Sequence, residues 1–140
     1  MGLYSALSSL SIKLIGDTFL FMESEALLKL CLQTLEDRKA QNIIAYDMRG
    51  HSSLTDFYVF CSGTSRTQLR AFNNYIGLAL KDLGMLPRST EGDPDSGWIL
   101  LDLNDVLIHI FHVDQRSHYN VEELLDNSLK IYPEETTEDA

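Results

Sequence analysis

Basic residues are scarce in this chain: 11 Lys and Arg stand against 21 Asp and Glu, a net charge of -10. A protein that holds a phosphate backbone by its own charge needs clustered Lys and Arg. Direct dependence on nucleic acid is therefore not expected, and a basic protein is the favoured partner. The plainer reading, that acidity only keeps the chain soluble, stays open. Cysteine is nearly absent, with only Cys31 and Cys61. Neither belongs to a CxxC or Cys/His ligand spacing, so both are expected as small buried hydrophobes in a reducing compartment such as the cytoplasm. No apolar run approaches the ~20 residues that cross a bilayer. The chain also lacks the Walker lysine, the GxGxxG spacing and the GxSxG elbow, so no cofactor is expected.

What is present is ordinary for one globular domain of 140 residues, 44% hydrophobic and 23% charged. Residues 1–21 are Ser- and Leu-rich with one basic residue, Lys13. They form an N-terminal extension whose status is open: native, targeting or start-site artefact. The domain itself is expected over residues 22–132. Leu27, Leu28, Cys31, Leu32 and Leu35 make one apolar stripe and predict a helix from Ser24 to Ala40, with Ser24 as N-cap and Arg38 and Lys39 at its end. Ile43–Tyr46 and Phe57–Cys61 read as strands. Ser65 and Gln68 form a capping-box signature for a long helix that Gly84 stops. A short strand is expected at Pro87–Thr90, one helical turn at Asp114–Tyr119, and a second capping box at Asn120 and Glu123. The tail 133–140 holds four acids and is expected to be disordered. This order predicts an α/β fold, a mixed β-sheet with helices packed on it.

The stretch from Glu91 to Phe111 organises the rest. Trp98–Leu101 and Val106–Phe111 flank a polar break and predict a hairpin. Strand alternation puts Trp98, Leu100 and Asp102 on one face and Leu107, His109 and Phe111 together on a face of the second strand. Glu91, Asp93, Asp95, Asp102 and Asp105 surround the hairpin, with no Lys or Arg between Glu91 and Phe111. Trp98 is the sole tryptophan. It is read either as core or as a surface anchor; the neighbouring acids favour the anchor, docking onto a basic protein.

Other chemistry is weaker. The Gly63-Thr64-Ser65 junction reads as a tight strand-to-helix turn rather than a phosphate cradle. Asp102 and Asp105 lie either side of a turn with no third carboxylate at ligand spacing. Asp93 and Asp95 have the spacing of a Mg²⁺ pair but stand before the strand. His109 and His112, three apart on a strand, point to opposite faces and cannot share a metal.

Together these residues resemble a known family. The runs Asp47, Ser52-Ser53-Leu54-Thr55-Asp56-Phe57-Tyr58-Val59, Ser62-Gly63-Thr64-Ser65, Glu91-Gly92, Gly97-Trp98-Ile99-Leu100-Leu101-Asp102, Asp105-Val106, His109-Ile110-Phe111 and Tyr119 with Glu123-Leu124 are similar to the ribosomal silencing factors (Iojap-like). The similarity runs from Glu23 to Leu125. It departs at Leu125, where members often carry tryptophan. The resemblance implies a nucleotidyltransferase-like core without its catalytic carboxylates, and no enzymatic activity. It implies binding to the large ribosomal subunit through ribosomal protein number fourteen. That binding would block joining of the small subunit and lower translation when nutrients are scarce. The contact surface it implies is Trp98, Leu100, Asp102, Leu103, Asp105 and His109. A homodimer is also open, since members are often dimers. The alternatives are a nucleotidyltransferase-like enzyme and an acidic adaptor for another basic protein.

Overall fold

The computed structural model describes residues 12–15 and 19–134, with side chains from Met22 onward. Strands β1 (Ile12–Ile15) and β2 (Phe19–Met22) pair as an antiparallel hairpin in a separate two-stranded sheet. Helix α1 (Ser24–Asp37) buries Leu27, Leu28, Cys31 and Leu35 of the expected stripe, with Ala26, while Leu32 is half-buried. Its N-cap is Glu23 rather than Ser24, and Leu27 N–H donates to the Glu23 carbonyl at 2.9 Å. The helix stops three residues before Ala40. Lys39 takes a left-handed φ of 64°, and the N–H groups of Lys39 and Ala40 close on the carbonyls of Glu36 and Leu35.

β3 (Gln41–Asp47) and β4 (Phe57–Gly63) follow as an antiparallel pair. Helix α2 (Arg66–Asp82) begins at the expected cap. Ser65 Oγ accepts from Gln68 N–H at 3.1 Å, and Gln68 Oε1 reaches back to Thr64 N–H at 2.7 Å. Gly84, with φ 76°, ends it as foreseen. β5 is Ser89–Asp93, not Pro87–Thr90, so the acidic stretch that reads as loop is partly strand. A turn of 3-10 helix at Pro94–Ser96 leads into β6 (Trp98–Asp102) and β7 (Val106–His112).

The main sheet has six strands in the order β5-β6-β7-β4-β3-β8, the last being Lys130–Tyr132. β4 and β7 pair in parallel, from Phe57 with Val106 to Gly63 with His112; the other neighbours are antiparallel. Only a crossover can join parallel neighbours, and here it carries α2, β5 and β6. The sheet is thus mixed, as expected. β8 (Lys130–Tyr132), paired with β3, has no counterpart in the sequence reading, because three residues carry no period. Helix α3 (Val113–Tyr119) follows β7 directly. The capping box at Asn120 does not form: Asn120 sits at φ 51° as the left-handed end of α3, and Val121–Leu124 is a 3-10 turn. Of the tail expected to be disordered, 135–140 lies outside the described residues.

The two faces of the sheet differ. On one, α1 and α2 pack on Phe57, Val59, Cys61, Ile99, Leu101, Val106, Ile108 and Ile110, and both cysteines are buried there. The other face carries Tyr46, Met48, Phe60 and Phe111, against which half-buried Trp98, Val121, Leu125 and Leu129 pack. Helix α3 reaches the β6 side of this face through Tyr119, which lies against Trp98 and Phe111.

Candidate functional site

The second face is an aromatic ladder made by strand alternation across register. Trp98 stands opposite Phe111, Leu100 opposite His109, and Asp102 opposite Leu107. Phe60 stacks on His109 at 4.6 Å and 8°. Tyr46 meets Phe60 edge-on at 5.7 Å. Trp98 stacks on Phe111 at 5.0 Å and leans against Tyr119 at 4.8 Å.

His109 fixes the indole. Trp98 Nε1–H donates to His109 Nδ1 at 3.2 Å, so the imidazole is neutral and its proton is assigned to Nε2. Burial favours that state and pulls the imidazole pKa down to about 4, against a smaller opposing pull from the Glu122 carboxylate. His109 is 7% exposed and meets the groove through Trp98.

The loop before β6 is built to present Trp98. Asp93 Oδ1 accepts from Ser96 N–H at 3.0 Å, and Gly97 ends the turn at φ 78°. Ser96 Oγ donates to the Asp93 carbonyl at 2.8 Å. Gly92 also has φ 78°, and a Cβ there would lie 2.2 Å from the Trp98 carbonyl oxygen. Only glycine fits this approach of β5 to β6. The result is a groove of about 220 Å³ lined by Glu91, Gly92, Ser96, Trp98, Leu100 and Tyr119. Its floor is aromatic and aliphatic, and its rim bears the exposed Glu91. Trp98 is half-buried, neither wholly core nor wholly surface: its ring stacks on Phe111 and also lines the groove.

The six residues of the expected surface are not all brought together. Trp98, Leu100, Asp102 and His109 share the open face. Asp102 also holds the β6–β7 turn, its Oδ1 accepting from Asn104 N–H at 2.8 Å. Leu103 is 8% exposed and packs in the helix-side core, which takes it off any contact surface in this conformation. Asp105 lines a different groove at the start of α1, with Glu23, Glu25, Arg49 and Asp56. Partial burial, then the Asp56 charge, raises its carboxyl pKa. Its carbonyl accepts from the N–H groups of Asp56 and Phe57, both at 3.0 Å. Tyr119, 43% exposed, is the site residue that strand logic missed. Its only signal is an aromatic in a short polar helical turn.

The carboxylates diverge. Asp93 caps a turn, Asp95 pairs with Arg66 at 3.2 Å on the surface, and Asp102 braces the hairpin. Among the described residues no three His, Cys, Asp or Glu side chains converge as metal ligands. His112 Nδ1 accepts from Asp114 N–H, on the face away from His109. No helix of the described residues is long and apolar enough to cross a membrane.

Comparison with known proteins agrees with this frame. The family model described as "Ribosomal silencing factor during starvation" matches residues 22–140. The ribosomal silencing factor RsfS of Bacillus subtilis is 36% identical over 103 residues, which cover 74% of this chain and 87% of the relative. That of Halalkalibacterium halodurans is 35% identical over 103 residues, covering 74% and 88%. A crystal structure from Chromobacterium violaceum superposes with a TM-score of 0.69 at 28% identity, over 85% of this chain and 93% of that one. The chain belongs to the ribosomal silencing factor family.

Proposed function

We propose that this protein is a cytoplasmic, non-enzymatic repressor of translation. It binds the large ribosomal subunit through ribosomal protein number fourteen and blocks joining of the small subunit when nutrients are scarce. Residues 22–132 are the unit that does so, with 1–21 and 133–140 as extensions. The observation that carries this reading is Trp98, held by Phe111 and the His109 acceptor at the edge of a groove on the sheet face opposite α1 and α2. A rigid aromatic at the centre of a desolvated patch is the usual anchor of a protein interface. Glu91 at the groove and Asp102 at the far end of β6 on the same face suit a basic partner, and the net charge of -10 would steer that partner in.

The carboxylate geometry supports a non-enzymatic role, since Mg²⁺-dependent nucleotidyl transfer needs two carboxylates facing one ion pair and a triphosphate. Co-sedimentation with purified large subunits tests the proposal. Wild type should pellet with them. Asp102→Lys and Trp98→Ala, each checked by circular dichroism melts, should stay in the supernatant while folded. Truncating a hot spot of this kind costs ≥ ~2 kcal/mol, roughly thirtyfold in affinity. Folded variants that pellet like wild type would refute the patch.

A further inference from the structure

We propose that Arg116 is a positioning residue: it latches α3 onto the sheet and thereby sets Tyr119 against Trp98, forming one wall of the groove. The inference rests on the reading above only for the identity of the partner; the geometry is independent of it.

The segment from Val113 to Leu129 runs back over the open face with little apolar hold. None of its residues in α3 or the two 3-10 turns is buried. Val121, Leu125 and Leu129 are only half-buried against Tyr46, Met48, Phe60 and Phe111. Against that thin contact stands one dense polar anchor. Arg116 Nε and Nη2 donate to Glu122 Oε1 and Oε2 at 2.7 and 2.9 Å. Its Nη1 donates to the Asn42 carbonyl at 2.7 Å and to Ser62 Oγ at 2.9 Å.

One guanidinium therefore joins α3, the turn after it, β3 and β4. The fork geometry that this requires belongs to arginine and not to lysine. The backbone is shaped to receive it. Asn42 sits at φ 48°, and the β3–β4 register shifts between Gln41 and Ile44, a bulge at the strand end beside the carbonyl that Arg116 takes. The ion pair is sheltered, at 12% and 22% side-chain exposure, so solvent screens it weakly.

Tyr119 follows Arg116 by three residues, within the last turn of α3. It contacts Trp98 at 4.8 Å and Phe111 at 6.1 Å. Loss of the latch frees the helix that carries Tyr119, and with it the groove wall. The core on the helix side does not involve this segment, so the sheet should survive that loss.

Because Trp98 is the sole tryptophan, its emission reports the groove directly. In Arg116→Ala the emission should move to longer wavelength and acrylamide quenching should rise, with far-ultraviolet circular dichroism close to wild type. Affinity for purified large subunits should fall by about tenfold or more. Arg116→Lys should not rescue either readout. Glu122→Gln, which keeps shape and removes one charge, should give an intermediate shift and serves if the alanine variant does not fold. In a double-mutant cycle with Tyr119→Ala, the losses of quenching protection should be strongly non-additive, since both variants remove the same wall. Wild-type emission and quenching in a folded Arg116 or Glu122 variant would overturn the proposal, as would additive losses with Tyr119→Ala. If wild type itself fails to bind large subunits, the proposed function falls, while the emission and quenching measurements still decide the role of Arg116.

Discussion

Lowering the pH should loosen this protein through His109. The imidazole is buried between Phe60 and Phe111 and accepts the Trp98 N–H, so its pKa falls from 6.5 to about 4 on folding. A folded value below the unfolded one means that the unfolded chain binds the extra proton first. Stability from this group is thus complete above pH ~6.5, declines as pH falls, and is gone below pH ~4. At pH 5 the unfolded imidazole is almost fully charged and the folded one is about nine-tenths neutral. The difference, ~1.5 pKa units at ~1.36 kcal/mol each, is about 2 kcal/mol relative to neutral pH. For a domain of this size that is a fall in Tm of roughly 6–10 °C. The assay is a pair of thermal melts at pH 7 and pH 5, on wild type and on His109→Gln, whose amide cannot take a proton. The variant should be less stable at pH 7 and lose far less on acidification. Equal losses in the two proteins would refute the assignment of His109 as a buried neutral acceptor.

Three further outcomes follow from the same geometry. Leu103→Ala should destabilise the domain by about 2–5 kcal/mol by opening a cavity in the helix-side core, and the folded fraction should bind large subunits as wild type does; lost binding at an unchanged Tm would put Leu103 on the contact surface. Gly92→Ala should cost about 1–3 kcal/mol and shift Trp98 emission, because its Cβ meets the Trp98 carbonyl and its φ of 78° disfavours a side chain; unperturbed emission and melting would show that β5 yields freely. Association with large subunits, followed by stopped flow, should slow as salt rises if carboxylates steer docking; rates flat from low to high salt would remove the electrostatic part of the account.

How much of this was legible in the sequence depended on whether a residue's role was local. The stripe on α1, the Ser65–Gln68 box and the Trp98–Phe111 hairpin each carry their signal within a few residues, and all three form. The same local reading put Trp98, Leu100 and Asp102 on one face, because alternation along a strand is rigid; the β6–β7 register then sets His109 beside Leu100. It failed where tertiary context decides. Leu103 and Asp105 lie in the turn of the hairpin, where Asn104, with φ 76°, sends one into the core and the other toward α1. Asn120 and Glu123 have the spacing of a capping box, yet Asn120 is used to end α3. β5 was displaced by the expectation that an acidic, Gly-containing stretch is loop, although an exposed edge strand tolerates that composition. Arg116 was invisible because the two partners that tie it to the sheet, Asn42 and Ser62, are 74 and 54 residues away in the chain.

The central claim is that the Trp98 face docks on the large subunit and keeps the small subunit off. Light scattering of purified subunits mixed in associating buffer measures this directly. Wild-type protein added in excess should suppress the rise in scattering, and folded Trp98→Ala or Asp102→Lys at the same concentration should leave it as in the protein-free control. Full subunit joining in the presence of wild type, or suppression by the folded variants equal to that by wild type, would contradict the account.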